Sequence, residues 1–213
     1  MTLTAESETT DFDPSKAVST IVIATSEPLI RGLNNALLFA GKDKTIPALM
    51  NVRFDFEAPE LRLVATDRYR LIVETVKSSQ LHNAEQPNFA FSMRRDDCLA
   101  LLSALKANKS TEVSMTYIVG SDNVAIRSGN WSSTYATDVD NQFPAWEQLL
   151  PKVGDEVSTN EIGFNPVFFS DFAKVKTPVS KPYIRVNLYG PRKPTRVEFE
   201  QGPLVLLMPH RMS

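Results

Sequence analysis

The sequence predicts an α+β fold in which one unit, a strand, a helix and three further strands (βαβββ), occurs three times. Short segments of alternating apolar and polar residues predict the strands, and segments with apolar residues at helical spacing predict the helices between them. The βαβββ order starts near residues 17, 88 and 161. This interval of roughly 70 residues indicates an internal repeat, although the units share hardly any letters.

The first unit begins with a predicted strand at 19–25, followed by a helix for which Ser26 is the N-cap and Pro28 lies in the first turn. Leu29, Leu33 and neighbouring apolar residues form the helical stripe, and Gly41 ends the helix. Strands are predicted at 52–57, 60–66 and 69–76.

The other two units repeat this order. The second has a strand at 89–92, a helix at 94–107 and strands at 112–119, 123–128 and 131–138. The third has a strand at 161–164, a short helix at 166–175 and strands at 183–188, 195–201 and 204–208.

Composition limits the function. The 213 residues carry a net charge of −2, so the chain has no global basic footprint of the kind that holds many proteins to nucleic acid. The single Cys98 excludes an intrachain disulfide, and His82 and His210 stand in no catalytic or metal-binding motif. No enzyme activity, metal or cofactor is predicted. No apolar run is long enough for a membrane span and the N-terminus lacks a signal peptide, so a cytoplasmic protein is expected.

The segment 61–73 is the centre of the first unit. Leu61, Leu63 and Ala65 alternate with Arg62, Val64 and Thr66, which predicts a strand with one buried face. Asp67, Arg68, Tyr69 and Arg70 then form a charged turn before the next apolar run. From this pattern alone, a solvated hairpin turn and a functional turn both stay open.

Five segments, in order along the chain, point to a known family: LNNALLFAGKDKTIPALMNV (33–52), ATDRYRLIV (65–73), QFPAWEQLLP (142–151), EIGFNPVFF (161–169) and LLMPHRM (206–212). Together they resemble the bacterial DNA polymerase III beta subunit, the replicative sliding clamp. In that family each domain is a pair of βαβββ units, with helices lining the bore of a ring and antiparallel sheets outside. The resemblance therefore implies a DNA-clamp fold.

The resemblance also divides the chain. Residues 17–140 resemble a complete clamp domain, and 159–213 resemble a half domain with the C-terminal tail. Residues 141–158 are predicted to be a docked connector, because Phe143 and Trp146 would pack on a neighbour. Residues 1–16 are polar and acidic and are predicted to be a disordered tail.

The implied function is a processivity factor that encircles duplex DNA and tethers a polymerase. Phosphate contacts without base reading would allow sliding, so binding would not be sequence-specific. The candidate DNA-binding residues lie on or after the predicted helices: Arg31, Asn35, Lys42, Lys44, Arg94, Arg95, Lys106, Lys109, Lys174 and Lys176. Ordinary solvated helix faces are the alternative interpretation.

The family also binds short peptides of polymerases and clamp loaders in a hydrophobic cleft. By motif position its walls would be Leu49, Thr66, Arg68, Tyr69, Arg70, Leu71, Pro144, Gln148, Leu149, Leu206, Met208, His210, Arg211 and Met212. Arg70 and Arg211 are expected to hold the partner, while core packing is the alternative for several of the apolar positions.

The assembly follows from counting units. The family's ring has about a dozen units, so four three-unit chains would close a symmetric ring; a trimer or a dimer is also open. An alternative of another class is a β-rich adaptor that binds replication-protein peptides without forming a ring.

Overall fold

The computed structural model describes residues 18–23, 26–78, 80–82, 88–108, 110–118, 122–138, 141–159 and 161–211. The predicted tail at 1–16, Lys109 and Met212 lie outside these ranges. The helices are α1 (Ser26–Phe39), α2 (Arg95–Ala107) and α3 (Pro166–Ser170), with 3-10 turns at Pro47–Met50, Trp146–Leu149 and Asp171–Lys174. The strands are β1 (Val18–Ile23), β2 (Asn51–Glu57), β3 (Glu60–Thr66), β4 (Arg70–Lys77), β5 (Gln80–His82), β6 (Asn88–Arg94), β7 (Val113–Ile118), β8 (Asn123–Ser128), β9 (Trp131–Ala136), β10 (Ile184–Asn187), β11 (Thr195–Phe199) and β12 (Leu204–Leu207).

The strands form two antiparallel sheets. One has the order β5-β1-β7-β8-β9, and the other has the order β10-β11-β12-β4-β3-β2-β6. The first two units exchange their first strands, since β1 pairs with β7 of the second unit and β6 pairs with β2 of the first. The third unit joins the first through the β12–β4 pair. The predicted α+β class with antiparallel sheets is confirmed.

One core lies between the helices and the inner faces of both sheets. Leu29, Leu33 and Ala36 of α1 are fully buried, as the helical stripe predicted. A Cβ at Gly32 would lie 2.9 Å from Leu63 Cδ1, so this glycine permits α1 to approach β3 closely. The same core continues into the third unit through Phe172, Val197 and Phe199.

A second apolar cluster lies on the opposite, outer face of the larger sheet. Val64, Leu71 and Leu206 are buried there under Phe143 and Trp146 of the connector. The predicted single buried face of the strand at 61–66 is therefore wrong toward its end, because the connector covers the outer face as well. Trp146 Nε1 donates a hydrogen bond to Asp55 Oδ2 of β2 at 3.2 Å, which adds a polar contact to this docking.

Two predictions for the third unit are also wrong. The expected strand at 161–164 is a single antiparallel bridge between Gly163 and His210. The expected helix at 166–175 changes to a 3-10 turn at Asp171. There the Ser170 hydroxyl donates to the Val167 carbonyl, a local bond that competes with regular helix. The strand β5 was not predicted, since three residues carry no period.

Candidate functional site: a junction groove and the helix side

The turn between β3 and β4 is shaped by the side chain of Asp67. Its Oδ1 accepts hydrogen bonds from the backbone N–H groups of Tyr69 at 3.1 Å and Arg70 at 2.8 Å. Arg68 has a φ of 81°, in the left-handed region. The Thr66 hydroxyl donates to the Arg70 carbonyl at 2.7 Å. This local bonding holds the aromatic ring of Tyr69 outward, where about half of the side chain is exposed.

Arg70 joins the first unit to the third. Its guanidinium forms ion pairs with Asp67 at 2.7 Å and with Asp171 at 2.6 Å. It also lies 4.6 Å from the ring centroid of Phe168 and 4.9 Å from that of Phe39. Hydrogen bonds from Lys174 and from Arg70 lower the pKa of Asp171, which keeps the pair charged.

The predicted role of Arg70 needs correction. Its side chain is only 7% exposed and its donors are engaged inside the chain. Arg70 therefore orders the junction between units instead of offering free donors to a partner.

A groove of about 660 Å³ opens beside this ion-pair network. Its walls, which we call the junction groove, are Arg68, Tyr69, Asn165, Phe168, Met208, Pro209, His210 and Arg211. The ring of Tyr69 stacks on Phe168 at 5.4 Å, and Met208 N donates to the Tyr69 carbonyl at 2.8 Å. Five of the predicted cleft residues are thus brought together: Arg68, Tyr69, Met208, His210 and Arg211.

Sequence reasoning missed Asn165, Phe168 and Pro209 in this groove. Asn165 caps α3 by accepting from Val167 N at 3.0 Å, so an N-cap pattern before Pro166 signalled a helix start there. Nothing local indicated that this helix start faces the β3–β4 turn, because the two segments are far apart along the chain.

The remaining described cleft residues lie elsewhere. Leu71 and Leu206 belong to the outer cluster, and Leu49 and Thr66 are buried. Leu49 instead supports the end of α1, since Gly41 N donates to its carbonyl at 2.8 Å. Three predicted cleft residues belong to the connector: Pro144, Gln148 and Leu149. Among the described residues, none of these three lines the junction groove.

Most of the predicted DNA-binding residues are exposed, and several of them form contacts within the chain. The exposed group, on or after the helices, is Lys42, Lys44, Arg94, Lys106, Lys174 and Lys176. Lys174 pairs with Asp171 at 2.6 Å, and Lys106 donates to Asn34 Oδ1 at 3.1 Å. Arg31 is tied to Glu27 at 2.8 Å. Arg94 and Arg95 line a smaller cavity that also contains Asp96 and Asp138, so their surroundings are of mixed charge.

Asn35 is wrong as a DNA contact because it is fully buried. Its Oδ1 accepts from Lys176 N at 2.8 Å and its Nδ2 donates to the Lys176 carbonyl at 2.7 Å, so the amide pairs with both backbone groups of that residue. Asn35 Nδ2 also donates to Glu74, whose pKa burial raises to about 7. This amide links α1 and β4 to the third unit.

A second groove, of about 830 Å³, runs between α1 and the third unit. It lies on the face of the molecule that carries the helices, which we call the helix side. Its apolar walls include Ile30, Phe169 and Ile184, and Arg31, Lys106 and Lys176 bring positive charge to it. The helix side thus presents cations beside exposed apolar side chains. Within the described residues, no cluster of potential metal ligands occurs and no helix is long and apolar enough to cross a membrane.

The architecture is that of DNA sliding clamps. The solved DNA polymerase sliding clamp of Pseudomonas aeruginosa superposes with a TM-score of 0.76 at 17% identity, covering 99% of this chain and 70% of that one. The DNA polymerase III beta subunit of Thermotoga maritima gives 0.75 at 16% identity, covering 97% of this chain and 69% of that one. For the Bacillus subtilis sliding clamp the TM-score is 0.72 at 15% identity, with 97% and 68% covered.

The sequence itself is similar to the beta sliding clamp of Streptomyces coelicolor. The two are 25% identical over 184 residues, which are 84% of this chain and 44% of that protein. The chain thus spans less than half the length of this curated relative. No family model matches the sequence. The predicted resemblance to the bacterial beta subunit is confirmed.

Proposed function

We propose that the chain is a DNA sliding clamp, a processivity factor that encircles duplex DNA and holds a polymerase to it. The observation that carries the proposal is the joining of the third unit to the first in one continuous sheet through the β12–β4 pair, with the helices packed against the core. A chain of such units can close around a duplex with its helices inward. The function is topological, so no catalytic step is required of any residue.

The helix side supports loose contact with DNA. Lys42, Lys44, Lys106 and Lys176 are exposed there or in the loops that follow the helices. Lysine ammonium groups attract phosphates from any sequence and release counterions when they do so. Contacts of this kind hold a duplex without fixing its register, which is what sliding needs.

The junction groove is the proposed site for a partner peptide. It combines the aromatic surface of Tyr69 and Phe168 with the flexible side chain of Met208 and the exposed cation of Arg211. An apolar groove with a few polar groups at its rim suits a short peptide with apolar anchors. The peptide would come from the polymerase or from the clamp loader, and the complex would act in the cytoplasm.

We infer a ring of four chains. The family's ring contains about a dozen units, and four chains with three units each supply that number in a closed symmetric assembly. Residues 17–140 would act as the complete domain and 159–213 as the half domain of each chain, joined by the docked connector at 141–158.

The experiment that tests this function compares retention on circular and linear duplex DNA. The protein is loaded on nicked circles, separated from free protein by gel filtration, and the DNA is then linearised with a restriction enzyme. A topological clamp stays on circles in high salt and is lost after linearisation, because it slides off the ends. Equal retention on both forms would contradict encirclement and leave a ring-free peptide-binding adaptor as the function.

A further inference from the structure

The complete domain shows how two units pair. Each unit sends the strand before its helix into the sheet of the other, so that β6 lies beside β2 over seven residue pairs and β1 lies beside β7 over six. The strand that follows each helix is thereby covered along its edge. Helices α1 and α2 pack together over the same interface.

A backbone hydrogen bond that occurs in the second unit also occurs at the same place in the third unit. In the second unit, Asp138 N donates at 2.8 Å to the carbonyl of Ser92, which lies three residues before the start of α2. In the third unit, His210 N donates at 2.8 Å to the carbonyl of Gly163, which lies three residues before the start of α3. Residues 161–164 thus occupy the place in their unit that β6 occupies in the second.

Among the described residues, the third unit has no partner for the outer edge of β10 and no sheet for its segment 161–164. The strand β10, which follows α3, pairs only with β11 among the described strands, so its outer edge is open. Residues 161–164 make the single bridge at Gly163 and join no described sheet. The unit therefore contains an open strand edge together with an unpaired strand that a like unit could accept.

Two apolar side chains of β10 are also exposed, as expected for a strand whose outer edge is open. Ile184 and Val186 pair with Phe199 and Val197, so they lie on the core-facing side of the sheet, yet they are 37% and 39% exposed. The corresponding residues of β2, Phe54 and Phe56, are 0% and 1% exposed. Phe169, at the end of the same apolar surface, is 38% exposed.

We propose that this surface, Phe169 with β10 and residues 161–164, docks on the same surface of a second copy of the chain. The strand at 161–164 of each copy adds to the open edge of β10 in the other. A unit that carries both the open edge and the strand that fills it is self-complementary under a two-fold axis. The pairing continues the larger sheet across the contact and removes an exposed edge that would otherwise favour aggregation.

This inference rests on the proposed ring and deepens it by naming one of its contacts. Two third units together form one complete domain, and a pair of chains then contains six units. At each end of the pair stands β9, which pairs only with β8 among the described strands and holds the position that β4 and β12 hold in their own units. Since β4 and β12 pair with each other, β9 to β9 contacts between two such pairs would close the ring of four.

The test is the solution mass of Val186→Glu, measured by light scattering without DNA. A carboxylate at this position would be desolvated in the contact, while in the separated chain it stays partly in water. The chain mass is 23.8 kDa. The wild type is expected to be a tetramer, and Val186→Glu is expected to be a dimer. The matched control, Val153→Glu, changes an exposed valine of the connector and should keep the wild-type mass.

A wild-type mass in Val186→Glu, with circular dichroism showing a folded chain, would overturn the contact and leave the ring proposal standing. Hydrogen exchange on the wild type gives a second readout that needs no variant. Amides of 161–164 and 184–187 should exchange more slowly as the protein concentration rises through the association range. Protection at these residues without retention on circular DNA would support the contact and contradict the clamp function, whereas unchanged exchange there would overturn the contact.

Discussion

Glu74 is a carboxyl group enclosed in the core beside α1. Burial raises its pKa to about 7, and the hydrogen bond from Asn35 and the charge of Arg31 only partly oppose that effect. In an unfolded chain the pKa of a glutamate lies near its ordinary value of 4.5. The folded protein therefore binds more protons than the unfolded one between pH 4.5 and 7, and its free energy of unfolding falls as the pH rises through this window.

We predict that Glu74→Gln removes this dependence. The amide keeps an oxygen for the Asn35 donor and never ionises, so the variant should be more stable than the wild type at pH 8. The gain in the free energy of unfolding is at most about 3 kcal/mol, which corresponds to a pKa raised by roughly 2.5. Urea unfolding at pH 5 and pH 8, at one fixed protein concentration, measures the effect.

Glu57→Gln is the matched control for this measurement, because the Glu57 side chain is exposed and forms a surface ion pair with Arg62. It should leave the pH dependence of the wild type unchanged. If Glu74→Gln and the wild type lost the same stability between the two pH values, the buried carboxyl would not be the cause.

Single residues were the hardest to predict from the sequence. Asn35 and Arg70 are polar, so they were expected to face DNA and a partner, yet both are buried by contacts to the third unit. Asn35 and Lys176 are separated by 141 positions, and Arg70 and Asp171 by 101. A local pattern contains no information about such distant partners. Tyr69 and Met208 lie in recognisable motifs, and the structure brings them together at one groove.

The connector docks on the larger sheet through two buried aromatic residues. Trp146 and Phe143 cover Val64, Leu71 and Leu206 on the outer face of the sheet. Truncation of a buried aromatic residue to alanine costs about 3–5 kcal/mol when the site cannot collapse. Here it would also leave Asp55 without the indole donor.

We therefore predict that Trp146→Ala lowers the free energy of unfolding by about 3 kcal/mol. Urea unfolding monitored by far-ultraviolet circular dichroism measures the change. The neighbouring exposed residue gives the control, since Glu147→Ala alters the same 3-10 turn without touching the cluster. Equal stabilities of Trp146→Ala and Glu147→Ala would show that burial of Trp146 does not stabilise the fold.

At the level of elements, periodic segments were predicted well and their partners were not. The long strands β2 to β4 and the helices α1 and α2 lie within one or two residues of their predicted bounds, because alternation and helical stripes are local properties. The strand expected at 161–164 has the right pattern but no described sheet to join. Strand formation needs a neighbouring edge, and the sequence of one unit does not state where that edge is.

At the scale of the whole molecule, a net charge of −2 is compatible with DNA contact because the charges are distributed unevenly. Lys42 and Lys44 follow α1 and are exposed. Lys152, also exposed, belongs to the connector segment that covers the outer face. The proposed clamp makes opposite predictions for lysines on these two sides.

We predict that replacing Lys42 and Lys44 together by alanine weakens binding to a short duplex at low salt and flattens its dependence on salt. Each lost phosphate contact lowers the slope of log K against log salt by about 0.9, so the double variant should differ visibly from the wild type. Fluorescence anisotropy over a salt series measures the slope. Lys152→Ala removes a positive charge from the other side and should leave the slope unchanged. If all of these lysines altered the slope equally, the duplex would not distinguish the helix side from the connector side, and the inward orientation of the helices would be contradicted.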